Sequence, residues 1–420
     1  MPPGSLGLPI VGESLASIAD PVKFVQDRKL RYGPIFKTNI LFSPTVCLTG
    51  EHAKLFTKIP SIGWPQHWVD LLGWTAMAAI NGPRHKFQRA IGNAAFTDQA
   101  LASYVPKVEA LTRKHLELWV AKSSMGPFDP HEDVKLYTFE IAEKILLGTS
   151  SGNDLGSMLK TFNTWLAGLE ALVPFNLPFT CFGKAMQARS VLLKDYQRII
   201  DQKRATGNLD GSDMLSLVMK EGKRGEPMTD EELKDFSINI MFAGHDTTKA
   251  TVQTMLHFIQ QKPAIREQLE EEISAVWDGK SPLTWEQTQT CQDGKCGRFC
   301  AEILRVVPVV NNIYRLVTED TEFEGYIIPK GWKVTASIPE LHSVEDIDLS
   351  VDHSSLKQLE NCPFGMGHRM CIGYKFAKLE LIIWLMCTLR NYQVSIEESK
   401  EFLFPFHYMS VKAAFSRKAS

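Results

Sequence analysis

The sequence predicts a mainly α-helical protein with a small β-rich part, folded as one large domain over residues 1–420. Three observations point there. Long stretches at 98–123, 129–147, 184–204, 229–261 and 374–391 repeat apolar residues at a helical period. The β-like pieces, at 46–48, 326–328 and 332–335, are short and sit beside Gly or Pro. Linkers are short, and the best boundary is the loop 220–228, with Gly222, Gly225 and Pro227. A chain of this length could hold two or three domains. Its informative residues run along the whole length, which favours one.

In chain order, residues 1–30 are rich in Pro and Gly and read as extended. Residues 98–123 read as a helix. In 129–147, Asp129 reads as the N-cap and Pro130 as the first helical residue. The longest helix opens on Thr229-Asp230-Glu231-Glu232, a capping box, and meets no proline until Pro263. Residues 229–261 would then span about 50 Å. In its middle, Ala243-Gly244-His245-Asp246-Thr247-Thr248 puts a glycine, an acid and two threonines where a buried helix prefers apolar side chains. Threonine hydroxyls bond back to the carbonyl one turn earlier and loosen the ladder. Taken alone, the hexapeptide reads equally well as a tolerated kink or as a site.

Apolar residues make up 44% and charged residues 22%, ordinary for a protein with a large core. A net charge of -2 gives no reason to expect nucleic acid or a strongly acidic partner. Eight cysteines are too few for a disulfide scaffold and suggest a reducing compartment. Cys291, Cys296 and Cys300 raise zinc, but no second pair with ligand spacing stands nearby, which argues against it. No charged segment followed by a long apolar run is present. The expectation is a soluble or peripheral cytoplasmic protein, or one whose membrane anchor is missing from the N-terminus.

The decisive stretch runs Pro363-Phe364-Gly365-Met366-Gly367-His368-Arg369-Met370-Cys371-Ile372-Gly373, then Tyr374-Lys375-Phe376 into an apolar helix. Glycines let the backbone turn tightly and aim amides inward. Amides and a helix N-terminus favour a thiolate over a thiol. With only Cys371 and its glycines to go on, a buried structural cysteine would be the better reading. The whole pattern F-x-x-G-x-R-x-C-x-G is far more specific. It resembles the cysteine-ligand loop of the cytochromes P-450. Three further stretches resemble that family in the right order: the hexapeptide at 243–248, Glu302-Ile303-Leu304-Arg305, and Arg315 ahead of Gly325-Tyr326-Ile327-Ile328-Pro329-Lys330-Gly331.

The resemblance implies a cytochrome P-450 fold around a buried haem b (iron protoporphyrin IX), with Cys371 on the iron. It implies a monooxygenase that uses O₂ on an apolar small molecule. Thr247 would hold the oxygen or its partner water, and Asp246 would link it to bulk protons. His85 and Arg89, four apart on one helix face, would bind haem propionates with Arg315 and Arg369. Phe364 and Gly373 match the family's haem-contacting loop positions. No flavin or ferredoxin module is fused, so electrons come from a separate reductase or ferredoxin. The protein is expected to be a monomer.

An apolar stretch at 58–79, with Ile59, Ile62, Trp64, Trp68, Val69, Leu71, Leu72, Trp74 and Met77, is expected to wall the substrate pocket. Leu169, Leu172, Val173, Phe175, Leu177 and Phe179 form a second apolar stretch. Several segments look most like the retinoid-, terpenoid- and sterol-hydroxylating branch. A haem-thiolate isomerase or peroxygenase is an alternative, although it would usually lack the acid–threonine pair. So is a haem-binding protein without activity.

The last alternative arises from a departure. Only 21 residues separate His342 from Phe364, and no arginine occurs from Leu316 to His368. Family members carry one there, which completes a triad with Glu302 and Arg305. Removing a partner from a buried charge network costs about 3–5 kcal/mol. Glu302 is expected either to recruit another donor, such as His353 or Lys357, or to leave residues 343–360 disordered. A second departure is Thr290-Cys291-Gln292-Asp293-Gly294-Lys295-Cys296-Gly297, where the family has a regular helix start.

Overall fold

The protein is described by a computed structural model. It covers residues 1–9, 11–149, 155–171, 174–207, 209, 211–221, 227–342, 346–351, 353, 355–356, 359–402 and 406–418. The N-terminal segment read as extended is helical from Ser14, as α1 (Ser14–Ala19) and α2 (Pro21–Tyr32). Asp20 supplies the missed signal. Its carboxylate accepts the Lys23 N–H at 2.8 Å, and Pro21 stands at the first turn, where a missing N–H costs nothing.

The chain continues through β1 (Ile35–Ile40), β2 (Ser43–Leu48), α3 (Gln66–Leu72), α4 (Gly82–Asn93), α5 (Asp98–Ser123), α6 (His131–Ala142) and α7 (Leu155–Leu166). Then come α8 (Cys181–Thr206), α9 (Met214–Glu221), α10 (Asp230–Gln261), α11 (Pro263–Val276), α12 (Trp285–Asp293) and α13 (Lys295–Val306). The last part holds β3 (Asn312–Leu316), β4 (Thr321–Phe323), β5 (Tyr326–Ile328), β6 (Lys333–Ser337), α14 (Ile338–His342), α15 (Tyr374–Asn391), β7 (Tyr392–Phe402) and β8 (Tyr408–Arg417).

The helices α5, α10 and α15 keep the boundaries that the sequence gives. Both arms of the capping box form: Thr229 Oγ1 accepts the Glu232 N–H at 3.2 Å, and Glu232 Oε2 accepts the Thr229 N–H at 2.8 Å. Two boundaries differ. In α6, Pro130 is the cap rather than the first helical residue, while Asp129 accepts the His131 N–H at 2.9 Å. From Glu143 to Leu147 this helix widens into a π turn. The α8 helix starts at Cys181, because the Thr180 hydroxyl accepts the Gly183 N–H at 3.0 Å. The loop expected at 220–228 begins later, since α9 reaches Glu221; Gly222 and Gly225 lie outside the described residues.

Helix α10 packs against α6, α8, α13 and α15, and buries Phe236, Met241, Val252 and Leu256. Tyr137, Trp165 and Trp384 are wholly buried around it. Each such side chain contributes about 1.5–3 kcal/mol of apolar transfer. A four-stranded sheet in the order β1-β2-β6-β3 forms the small β-rich part, with β2 and β6 parallel. The segment before α3 adds to its edge, where Ile62 bridges Arg315 and the Leu316 N–H donates to Ser61 O at 2.9 Å. A Cβ on Gly63 would lie 2.5 Å from the Arg315 carbonyl carbon, so only glycine allows this approach. No helix among the described residues is long and apolar enough to cross a membrane.

His342 ties the end of α14 to the rest. Its Nδ1–H donates to Arg305 O at 3.1 Å, and its Nε2 accepts the Cys362 N–H at 3.1 Å. Both bonds require the neutral ring. Burial pushes its pKa down to about 4, although the Arg305 carbonyl partly opposes this. Between about pH 6.5 and pH 4 the unfolded chain takes up a proton that the folded His342 refuses. Stability should therefore fall as pH falls through that window, at up to about 1.4 kcal/mol per pH unit from this residue. Urea unfolding of wild type and His342→Gln at pH 7 and pH 5 checks this. An unchanged pH slope in the variant would remove His342 from the account.

Candidate active site

The Cys371 loop is built from hydrogen bonds to its own backbone. Gly365 N–H donates to Cys362 O at 2.8 Å, Met370 N–H to Gly367 O at 3.0 Å, and Cys371 N–H to Phe364 O at 2.9 Å. Gly365 and Gly367 hold φ of +75° and +68°, where a side chain would be strained. Gly373 is different. Its φ of -89° is open to any residue, and its part is to cap α15 and donate its N–H to the Cys371 sulfur.

That sulfur is open to an internal cavity. Burial raises the Cys371 pKa, against the Gly373 amide and the Arg89 charge, so the free group is a thiol. A coordinating metal ion removes that proton.

The cavity is about 440 Å³ and is bounded on the opposite side by α10, with Ala243, Gly244, Thr247, Thr248 and Thr251 at its wall. The threonines bond back as expected: Thr247 Oγ1 donates to Ala243 O at 2.6 Å, and Thr251 Oγ1 to Thr247 O at 3.0 Å. Asp246 points elsewhere. It is buried off the cavity wall, with Oδ1 2.8 Å from Lys249 Nζ. Burial alone would raise its pKa, but Lys249, His245 and Lys135 together hold the carboxyl below its usual range.

At the cavity's edge, α4, β3 and the cysteine loop bring four basic side chains together. His85, Arg89, Arg315 and Arg369 all line it. The Nε of Arg315 and of Arg369 is buried with no hydrogen-bond partner. Burial, then Arg369, pushes the Arg315 pKa down to about 10. Burial, then Arg89, does the same to Arg369. His85 falls to about 4, through burial first and then Arg369, Arg89, His368 and Arg315. Cations crowded in this way, with donors unused, fit a dianionic ligand. Haem suits every part: propionates for the cations, an apolar cavity for the ring, and one sulfur for the iron.

Of the sequence-derived candidates, His85, Arg89, Thr247, Arg315, Phe364, Arg369, Cys371 and Gly373 meet at this cavity, and Asp246 stands one layer behind. Ile62, Trp64, Trp68 and Met77 line it as expected. Ile59, Leu71 and Leu72 belong to the core instead, and Trp74 is exposed. The second apolar stretch does not reach the cavity. Leu169 is core, and Phe175, Leu177 and Phe179 are exposed on a segment that Pro174 and Pro178 keep out of a helix. Leu172 and Val173 lie outside the described residues. The rest of the wall, including Leu146, Met214, Ile240, Phe242, Val309 and Phe406, comes from elements far apart in sequence. Nothing local marks these residues.

Beneath the cysteine loop, Glu302 is wholly buried and takes a two-pronged contact from Arg305 at 2.7 and 2.8 Å. The place of the absent arginine is taken by His353, whose Nε2 lies 3.1 Å from Glu302 Oε1. Asp348 N–H donates to Oε2 at 2.9 Å. Burial would raise the Glu302 pKa, but these partners bring it to about 2. Lys357, the other expected donor, lies outside the described residues, as do 343–345, 352, 354 and 358.

The profile of the Cytochrome P450 family matches residues 2–347 and 349–415. Abscisic acid 8'-hydroxylase 1 of Arabidopsis thaliana is 30% identical over 412 residues, covering 94% of this chain and 86% of its own. Cytochrome P450 26B1 of Rattus norvegicus is 30% identical over 406 residues, covering 91% and 79%. The solved structure of a cyanobacterial relative, CYP120A1 with retinoic acid bound, superposes with a TM-score of 0.89 at 27% identity, over 100% of this chain and 99% of that one. The chain belongs to the cytochrome P450 family. It is a haem-dependent monooxygenase with a P450 fold, using O₂, an apolar substrate and a redox partner.

Two substitutions test this arrangement. Cys371→Ala should abolish the thiolate-type spectrum of the reduced carbon monoxide complex, whereas Cys362→Ala should keep it, because Cys362 serves through its backbone. A normal spectrum from the Cys371 variant would sink the assignment. His353→Ala removes the side chain nearest Glu302 apart from Arg305 and should lower thermal stability and speed haem loss. Equal haem retention in wild type and variant would show that His353 is not the missing partner.

Proposed function

We propose that the enzyme hydroxylates an elongated isoprenoid-derived lipid of the retinoid, terpenoid or sterol type. The observation that carries this reading is the cavity wall between Cys371 and Thr247. It is mainly apolar away from the basic cluster, with Ile62, Trp64, Trp68, Met77, Phe242 and Val309 among its lining residues. Such a wall excludes water and holds a hydrocarbon chain by shape. The relatives named as hydroxylases of abscisic acid, and the cyanobacterial structure holding retinoic acid, support the same class.

Haem, of the b type, supplies reductive activation of O₂, with one oxygen atom entering a C–H bond and the other leaving as water. Cys371 Sγ is its ligand, and the Gly373 amide tempers the charge on that sulfur. His85, Arg89, Arg315 and Arg369 would hold the propionates, and Phe364 and Gly373 would line the haem side of the cysteine loop. Thr247 Oγ1, anchored on Ala243 O, holds a proton or water at the cavity wall. Asp246, buried beside Lys249 and near Lys135, Glu170 and His131, makes the turn of α10 behind Thr247 a charged, polar cluster from which protons could be drawn. Electrons come from a separate reductase or ferredoxin. Eight free cysteines suit a reducing compartment such as the cytoplasm.

Titration with all-trans-retinoic acid, abscisic acid and a sterol, followed by the haem spin-state shift, tests the substrate class. A shift with none of them, but with small aromatic compounds, would overturn it. In Thr247→Ala, substrate binding should persist while product per electron falls about tenfold or more and peroxide rises. Unchanged coupling would show that protons arrive by another route.

A further inference from the structure

The stretch 290–297 has no part in the haem site, and the structure gives it another reason. Cys291 stands at the last turn of α12 and Cys296 at the first turn of α13, and both are wholly buried. Glu272 reaches them from the neighbouring helix α11. Its Oε2 accepts the Lys295 N–H at 2.6 Å, while Oε1 is buried with no hydrogen-bond partner. The two sulfurs and a carboxylate oxygen all lie within 4.8 Å of one another.

Two glycines make this approach possible. A Cβ on Gly294 would stand 2.1 Å from Glu272 Oε1, and one on Gly297 would stand 1.7 Å from Gln292 O. Gly294 has a φ of -93°, so its conformation does not demand glycine; the space does. The turn is thus shaped to seat a carboxylate, held by the Lys295 and Cys296 amides, against two thiols that hydrogen-bond each other. Burial raises the pKa of Glu272, and Cys291 and burial together raise that of Cys296.

We propose that Glu272, Cys291 and Cys296 form a binding site for a zinc-like divalent cation, with water in the fourth position. Two thiolates select a borderline-soft ion over calcium or magnesium, which take oxygen ligands. Tetrahedral zinc, with bonds of about 2.3 Å to sulfur and about 2.0–2.2 Å to oxygen, needs the ligand atoms about 3.5–3.8 Å apart. Closing from 4.8 Å is a side-chain adjustment. Binding forms two metal–sulfur bonds and one metal–oxygen bond, and releases the two thiol protons to solvent. The spacing of the cysteines argues against zinc only while ligands are sought nearby in sequence, and here the third comes from another helix. Cys300, one turn further along α13, is not among them. The ion would clip α11 to the start of α13, the helix that carries Glu302 and Arg305.

The test uses the haem-loaded protein, expressed with added zinc and purified without chelator. Elemental analysis should find one zinc per chain beyond the haem iron. Cadmium added to the zinc-free holoprotein should raise the ultraviolet thiolate-to-metal band. Glu272→Gln should weaken cadmium binding at least about tenfold while the carbon monoxide spectrum of the haem stays normal. Cys291→Ser with Cys296→Ser should abolish the band, whereas Cys181→Ser, at an exposed cysteine, should not. The Glu272 variant and the wild-type titration stand even if the double cysteine variant does not fold. Folded holoprotein with neither zinc nor a cadmium band overturns the site. So does a Cys291–Cys296 disulfide in freshly purified protein, found by peptide mapping without reductant.

Discussion

The proposed haem site depends on one constraint: a single sulfur must face an apolar cavity and be held there as an anion once metal is bound. Burial opposes the charge on Cys371, and the Gly373 amide and Arg89 favour it. The loop meets that conflict by rigidity. Gly365 and Gly367 take backbone angles denied to other residues, and three internal hydrogen bonds fix the sulfur above α15. Helix α10 then sets the roof. Because it is long and unbroken from Asp230 to Gln261, it carries Thr247 to the cavity while its two ends lie elsewhere.

Charge balance explains the rim. His85, Arg89, Arg315 and Arg369 repel one another in the protein alone, and burial adds to the cost. Such a group persists only where the rest of the fold over-determines it. Gly63 pressing on β3 and the carbonyls of Met77 and Ile80 around Arg369 supply that constraint here. A doubly charged anion such as the proposed haem's propionates would relieve this repulsion on binding.

The layer below the loop shows how a lost side chain is replaced. Glu302 cannot stay buried and charged with a single partner. His353 and the Asp348 amide approach from the shortened segment, and His342 links Arg305 O to Cys362 N–H beside it. These contacts join α13 to the base of the cysteine loop. The shortened segment thus supplies Glu302 with a histidine and a backbone amide where the family carries an arginine.

Much was legible in the sequence, because much is local. The capping box of α10, the extents of α5 and α15, the glycine-framed cysteine and the spacing of His85 and Arg89 all express short-range rules. Asp20 before Pro21 was equally local and was masked by the surrounding Pro and Gly. Tertiary structure decided what depends on chain segments meeting. It turned Asp246 away from the cavity toward Lys249, and chose His353 for Glu302. It left Phe175 and Phe179 on the surface, and drew Leu146, Met214 and Phe406 into the cavity wall. It also set Glu272 against Cys291 and Cys296. Apolar content says that a residue can be buried, and a titratable side chain says that it needs a partner. Which wall and which partner follow from the packing of helices distant in sequence, and that packing is set by the fit of all their surfaces together.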